Sequence, residues 1–550
     1  MAVISNQSEK VGTRKSTSEA TSAAVATKRR KVQAAEAPPA EAETKKTVAA
    51  AAAAAASAKK SAPSAKTATH PKAKAATKPA ALKKAESAKT KAEPATAKPI
   101  RKSASTAAAE TKTAVSASKA MPVGPEVPKH LEPRPFIKAR VAPVHPLAKR
   151  ATASGTVYVF GNGDCGQLGL GEDMVERKKP FPVTVLDAQN VVDIVSGGLH
   201  TMALTSAGKL WSWGCNDQKA LGRGGDEFVP GPVDALANVS IVRVACSDSA
   251  TFALSEDGHV YSWGTFRSAE GIMGFSEGTY IQETPMVINE FREPIVDLCA
   301  GVDHALALSA SGKVYAWGYG QQGQLGRLIM ERRRLHGLTP ERLNLQDVYH
   351  IGSGSYHSFA VTKDGSVYAW GLNNFHQLGL SKADGGDQEF IYKPTPIAAL
   401  KDVKIKKVSG GEHYSIALTE DGNLYSFGRS DSHQTGLPFA TLVQDTEKLQ
   451  LNSNSQEPSE SSSSHKKAIT VPTHIESISS VSDFVCGTNH TLALVSDGNV
   501  YTWGYGEMLQ LGNGEEEDVA QPLLLKGQKI EGKRISKVAA GGQHSVILAA

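Results

Sequence analysis

The chain has 550 residues and a formal net charge of +6, unevenly spread: residues 1–150 hold 30 Lys/Arg and 10 Asp/Glu (+20), which leaves 31 and 45 (−14) for the remainder. No apolar run reaches the roughly 18 residues of a membrane span, and the N-terminus lacks the apolar core of a secretory leader. The five cysteines contain no C-x-x-C pair, so neither a disulfide framework nor a zinc site is expected, and a reducing compartment is.

Residues 1–120 are rich in Ala, Lys, Thr, Ser and Pro. Such a segment buries too little apolar surface to offset its ordering entropy, so a disordered basic tail is predicted. Lys28, Arg29, Arg30 and Lys31 form a cluster of the kind an import receptor reads as a nuclear import signal. The scattered lysines suit salt-sensitive contact with DNA phosphates. No aromatic residue precedes Phe136, which argues against base stacking. Residues 121–154 read as a Pro-rich linker, and residues 155–550 as a single repeating body.

The body opens with Val157-Tyr158-Val159-Phe160 followed by GNGDCGQLGLG from Gly161, whose start fits the G-x-G-x-x-G of dinucleotide loops. The fit loses its force because the segment recurs: the opening glycines are Gly161, Gly214, Gly264, Gly318, Gly371, Gly428 and Gly504. A second phrase alternates with it, as in GGLHTMAL from Gly197 and GGQHSVIL from Gly541, and it too has seven copies. A period near 53 residues marks a repeat architecture. Short β-branched and aromatic runs between Gly and Asp-Gly turns are strand signals. The expectation is an all-β, seven-bladed β-propeller of four-stranded blades, closed by a blade that both chain ends share. On this reading the glycine loop is a turn that needs positive φ, not a phosphate cradle, because no helix pattern follows it. A polar Ser-rich insertion is expected at about 444–470, within the one long repeat interval.

These units resemble the repeats of the regulator of chromosome condensation family, whose type member is a chromatin-bound guanine-nucleotide exchange factor for the small GTPase Ran. The loops Gly166–Pro180 and Gly214–Arg223 resemble that factor's first two blade loops. The segment TFRSAEGIMGF, Thr265–Phe275, stands where other blades carry a G-Q-L-G turn and is two residues longer. In the family this position holds a β-wedge that pushes into the GTPase. The resemblance therefore implies GTPase contact for Arg267, Ser268, Ala269, Glu270, Gly271, Ile272, Met273 and Gly274. It implies further contacts at Asp164, Arg327 and Asn374, and exchange residues at Asp303, Asp248, His413 and His544. Against the two histidines stands a structural role, since His200, His304, His357, His413, His490 and His544 recur through the blades. Arg332, Arg333 and Arg334 fall in a loop that faces histones in the family, which implies contact with an acidic nucleosome surface.

No G-x-S-x-G, H-E-x-x-H or paired-carboxylate pattern supports covalent catalysis, and no cofactor or metal is expected. The competing expectations are a propeller scaffold without exchange activity and a propeller photoreceptor. The second is disfavoured because five of six tryptophans fall at the repeated V-Y-x-W-G strand position.

Overall fold

The computed structural model describes residues 128–137, 143–438 and 468–550, all within one compact unit, Ala117–Ala550. The basic tail with Lys28–Lys31, the two remaining stretches of the linker and nearly all of the Ser-rich insertion lie outside the described residues.

Seven four-stranded antiparallel sheets follow one another round a ring, with one extra two-stranded ribbon. Blade two shows the plan: Val191–Ser196, His200–Thr205, Leu210–Gly214 and Gly231–Pro232, from the inside outwards. Blade one joins the chain ends, because Thr156–Asn162 pairs with His544–Ala549 on one side and Glu176–Pro182 on the other. Such closure completes blade one and ties the ring shut.

The second strand of each blade is apolar on both faces because neighbouring blades cover both, and His200–Thr205 and His304–Ser309 are buried throughout. The outer strand Glu176–Pro182 faces solvent, where its two prolines cost no ladder bond. The repeated opening glycine is compulsory. Gly214 has φ +103°, and a Cβ there would stand 2.5 Å from the Leu199 carbonyl oxygen. After Gly161 the loop runs into the strand Glu176–Pro182, so no helix N-terminus exists to hold a phosphate.

The first strands line a central channel of about 400 Å³ that all seven blades contribute to. The third residues of these strands are, in ring order, Lys537, Asp193, Arg243, Asp297, His350, Lys407 and Asp483. Charges alternate, with ion pairs Lys537–Asp193 at 3.7 Å, Arg243–Asp297 at 3.9 Å and Lys407–Asp483 at 2.7 Å. An odd ring cannot alternate all the way round. His350 fills the odd place, and burial lowers its pKa, which keeps it neutral.

Parts of the predicted linker are packed rather than free. Leu131 is buried among blade-two and blade-three residues, and Phe136 stacks on His259 at 4.1 Å. Val144 and His145 donate backbone N–H bonds to the Ala310 carbonyl. Arg150 bonds the carbonyls of Ser206 and Ile241. These partners include the turns between second and third strands, so the strap lies on the face that those turns form.

Candidate functional site

In an antiparallel meander, the loops after the first and third strands open on the same face. Every candidate contact residue described here except His544 lies on those loops, and their face is the one opposite the strap.

Beneath that face the blades are joined by a repeated polar latch. The Nε2 atoms of His200, His304, His357, His490 and His544 stand 2.8–2.9 Å from the hydroxyls of Thr251, Ser358, Ser415, Ser545 and Thr201 in the next blade. In four of the five the hydroxyl donates onward to a loop carbonyl, as from Ser358 to Gln324 at 2.9 Å, and Trp370 Nε1 donates to the same oxygen. Burial holds these imidazoles neutral, with pKa values down to about 4 for His200 and about 3 for His544. His544 is wholly buried and serves the latch. Of the two roles weighed for it, exchange and blade construction, this bond is of the second kind.

His413 was expected to belong to the same repeat and does not. Strand register places Tyr414, not His413, opposite the opening glycine of its blade. Tyr414 takes over the latch, with its hydroxyl 3.0 Å from Thr491 Oγ1. His413 is thereby released onto the rim, one residue before the strand. There it lies 4.9 Å from the Phe375 ring and 3.4 Å from Gln377 Nε2, which also donates to Asn374 Oδ1 at 3.1 Å. Partial burial lowers its pKa despite the opposing pull of Glu412, whose carboxylate is 3.7 Å away, so it presents a neutral imidazole. Arg429 stacks over Phe375 at 5.1 Å and pairs with Asp431 at 2.7 Å.

The loops after the first strands are chained round the channel mouth by backbone bonds. Asp248 donates to Val302, Val302 to Ser355, Ser355 to Gly411, Glu412 to Thr488, Thr488 to Gly541, and Gly542 to Gly198, all at 2.9–3.2 Å. The Asp248 carboxylate accepts from the Gly198 N–H and completes the circle. Asp303, 9% exposed, accepts the Arg267 N–H at 2.6 Å. Loss of hydration raises Asp303 to about 7, with the Asp248 charge adding to the rise; Asp248, exposed at the channel mouth, is raised by the same crowding of loops. Tyr356, raised to about 12 by burial and then by Glu412, Asp248 and Asp303, lies within the same field. Glu412, Tyr356, Phe375 and Asp431 were missed in the sequence. An alignment on strand ends instead of on G-G-x-H would have found the first two.

Thr265–Phe275 forms the extra ribbon, Phe266–Ser268 paired with Gly271–Gly274. Its root is buried through Phe266 and Met273, which join a core cluster with Leu338 of the blade-four loop. Its tip is open: Arg267, Ala269 and Glu270 are exposed and Ile272 is 39% exposed. Ser268 and Gly271 lie between root and tip, and Gly274, at φ +132°, ends the second strand. Tyr280, Leu328, Met330 and Leu335, on the same two blade loops, are further exposed apolar side chains.

Asp164 is exposed in an Asx turn closed by its N–H to Asn162 Oδ1 at 3.1 Å. Arg327, expected at the contact surface, is instead folded back on its own blade. It donates to the Ala316 carbonyl at 3.0 Å and pairs with Glu341 at 2.9 Å, which spends its guanidinium on holding the outer strand. Arg332 and Arg333 are exposed in the 3-10 segment Glu331–Leu338. Arg334 is drawn towards the ribbon, its guanidinium bonding Glu270 at the ribbon tip at 2.6 Å and Glu331 at 3.1 Å. The five cysteines are unpaired, and only Cys246 is fully buried. Among the described residues no group of three or more His, Cys, Asp or Glu stands together as metal ligands, and no helix is long and apolar enough to cross a membrane.

Comparison with known proteins agrees with this geometry. Protein pim1 of Schizosaccharomyces pombe is 39% identical over 425 residues, covering 74% of this chain and 76% of that one. The guanine nucleotide exchange factor SRM1 of Saccharomyces cerevisiae is 35% identical over 428 residues, covering 71% and 86%. The crystal structure of S. cerevisiae Prp20p, described with its binding to Gsp1p and histones, superposes with a TM-score of 0.67 at 35% identity over 73% of this chain and 93% of that one. A second structure, yeast RCC1 (Prp20) bound to Kap60, gives a TM-score of 0.66 at 34% identity over 76% and 96%. The RCC1-like domain model matches residues 156–547, and the chain belongs to this regulator of chromosome condensation family.

Proposed function

We propose that this protein is a guanine-nucleotide exchange factor for the small GTPase Ran and that it works on chromatin in the nucleus. The observation that carries the reading is the ribbon: a two-stranded projection with a buried root and an open tip, found on one blade alone among the described residues. It stands beside a stiff, acidic ring of loops built by Asp248, Asp303, Glu412 and His413.

Exchange of this kind makes and breaks no covalent bond. The factor binds the nucleotide-free GTPase far more tightly than the nucleotide-bound form. By reciprocity it weakens the nucleotide as strongly as the nucleotide weakens it. A coupling of about 5.5 kcal/mol is worth roughly 10⁴-fold in affinity. A ring whose blades are latched and whose loops are chained yields little when the ribbon presses on a partner, so the deformation falls on the GTPase. The acidic rim complements a basic partner and speeds encounter. Ion-free contacts are available at Ile272 and Phe375, and polar ones at Asp164, Asn374, Asp303, Asp248 and His413.

The basic leader supplies the second half of the function. Its lysines neutralise DNA phosphates, and Lys28–Lys31 engages an import receptor. Arg332 and Arg333 are exposed for a histone surface, and Arg334 would have to exchange Glu270 for a histone carboxylate.

The test is release of labelled GDP from purified Ran, with and without the full chain. Catalytic amounts should accelerate release, and removal of residues 268–271 should abolish at least about 99% of the acceleration while the melting temperature stays within a few degrees. No acceleration by the intact chain would leave a propeller scaffold as the reading.

A further inference from the structure

Six of the seven seams between blades carry the side-chain latch: five through His and one, between blades six and seven, through Tyr414. The seam between blades three and four does not. Register places Ala250 where the other blades have His or Tyr, since it faces Gly264 as His200 faces Gly214. The hydroxyl that would receive the latch is missing as well, because Ala305 stands opposite Trp317 where Ser358 stands opposite Trp370. The loop carbonyl that would complete it is absent too, since the blade-three loop is the ribbon. Three members of one latch are lost together.

The vacated space is filled by the ribbon root. Phe266 packs with Ala250, Ala305, Phe252 and Trp317 in one cluster, its ring 6.0 Å from Phe252, and Trp317 meets Phe252 edge-on at 5.5 Å. A Cβ on Gly318 would come within 2.9 Å of Phe266, so the glycine also makes room. The rest of the ribbon is fixed from blade four: Asp303 holds the Arg267 N–H, Leu338 packs under the second strand, and Arg334 holds Glu270.

We propose that the unlatched seam is a socket that sets the angle of the ribbon, and that Phe266, seated between Ala250 and Ala305, is a positioning residue for nucleotide exchange. The inference rests on the exchange reading above and adds to it why the projection grows from this blade. The seam that lost its polar latch gained an apolar anchor, and one side chain therefore both closes the ring and aims the ribbon. An aromatic ring in a fitted cavity transmits load because packed interiors deform little.

The experiment rebuilds the latch. In the double variant Ala250→His with Ala305→Ser, the new imidazole competes with Phe266 for the socket. At saturating Ran the rate of GDP release should fall at least about tenfold, with KM changed less than threefold and the melting temperature lowered by no more than several degrees. Should that variant fail to fold, Phe266→Leu serves instead. It should lower the saturated rate by about three- to tenfold and speed proteolysis between Arg267 and Ile272, with the melting temperature nearly kept. A folded variant with an unaltered saturated rate and an unaltered ribbon cleavage rate overturns the proposal. If the intact chain does not act on Ran, the exchange reading fails, and the proteolysis comparison still decides the socket.

Discussion

His544 and His413 lie in the same kind of phrase, each after a glycine pair and one intervening residue, yet they do unrelated work. His544 begins its strand, points into the seam and bonds Thr201 without touching solvent. His413 comes one residue earlier, on the rim, among Phe375, Gln377 and Glu412. A shift of one position in a strand reverses the side-chain direction, so the difference is one of register and not of residue type. The lesson is that a repeated residue and its near-copy must be separated by strand ends before either is given a role.

The sharpest way to break this comparison is to remove each imidazole. His544→Ala leaves a buried Thr201 hydroxyl without its partner and opens a cavity, which should cost about 2–4 kcal/mol of stability in denaturant titration. Exchange per folded molecule should change little. His413→Ala should do the opposite, losing about tenfold in GDP release with less than about 1 kcal/mol of stability. Equal stability losses in the two variants would contradict the register argument.

Asp303 sharpens it further, since its carboxyl is raised to about 7 from an ordinary value of 3.8. A carboxyl raised in the folded chain binds its proton more tightly there than in the unfolded chain. The folded state therefore loses stability as pH rises between about 4 and about 7. Asp303→Asn keeps an acceptor for the Arg267 N–H and removes the charge. It should match the parent near pH 4 and exceed it by about 1–3 kcal/mol above pH 8 in unfolding titrations. GDP release by the parent should rise from pH 6 to 8 as the carboxylate forms, and the variant should show a flatter profile.

The smallest effect is expected at Arg334. Its pair with Glu270 is solvent-exposed on both sides, and such pairs contribute about 0–1 kcal/mol. Arg334→Ala should slow exchange at most about fivefold, and the deficit should shrink in high salt. An unchanged exchange rate with weakened nucleosome binding would return Arg334 to the chromatin surface.

Much of the fold was legible in the chain. The seven opening glycines, the strand-like V-Y-x-W-G runs and the split first blade are local patterns, and blade count follows directly from counting them. The lengthened loop at Thr265–Phe275 was equally plain, because an insertion stands out against a period. Less of the site was readable. Arg327 follows a Leu-Gly pair as Arg223 does, and both are folded back on their own blades. A contact surface and an internal staple share that spelling. Arg334 stood beside Glu331 in the sequence and met the Glu270 carboxylate only when blades three and four came side by side.

Periodicity, composition and the unequal spread of charge thus determined the ring of seven blades, its closure by both chain ends and the basic leader, because each depends on neighbours in sequence or on totals. Which histidines latch and which one faces outward, the meeting of Ala250 and Ala305 in one core cluster across 55 positions, and the joining of Asp303 to the ribbon were decided only in three dimensions. Those features depend on strand register and on contacts between blades, and neither is written within a single repeat.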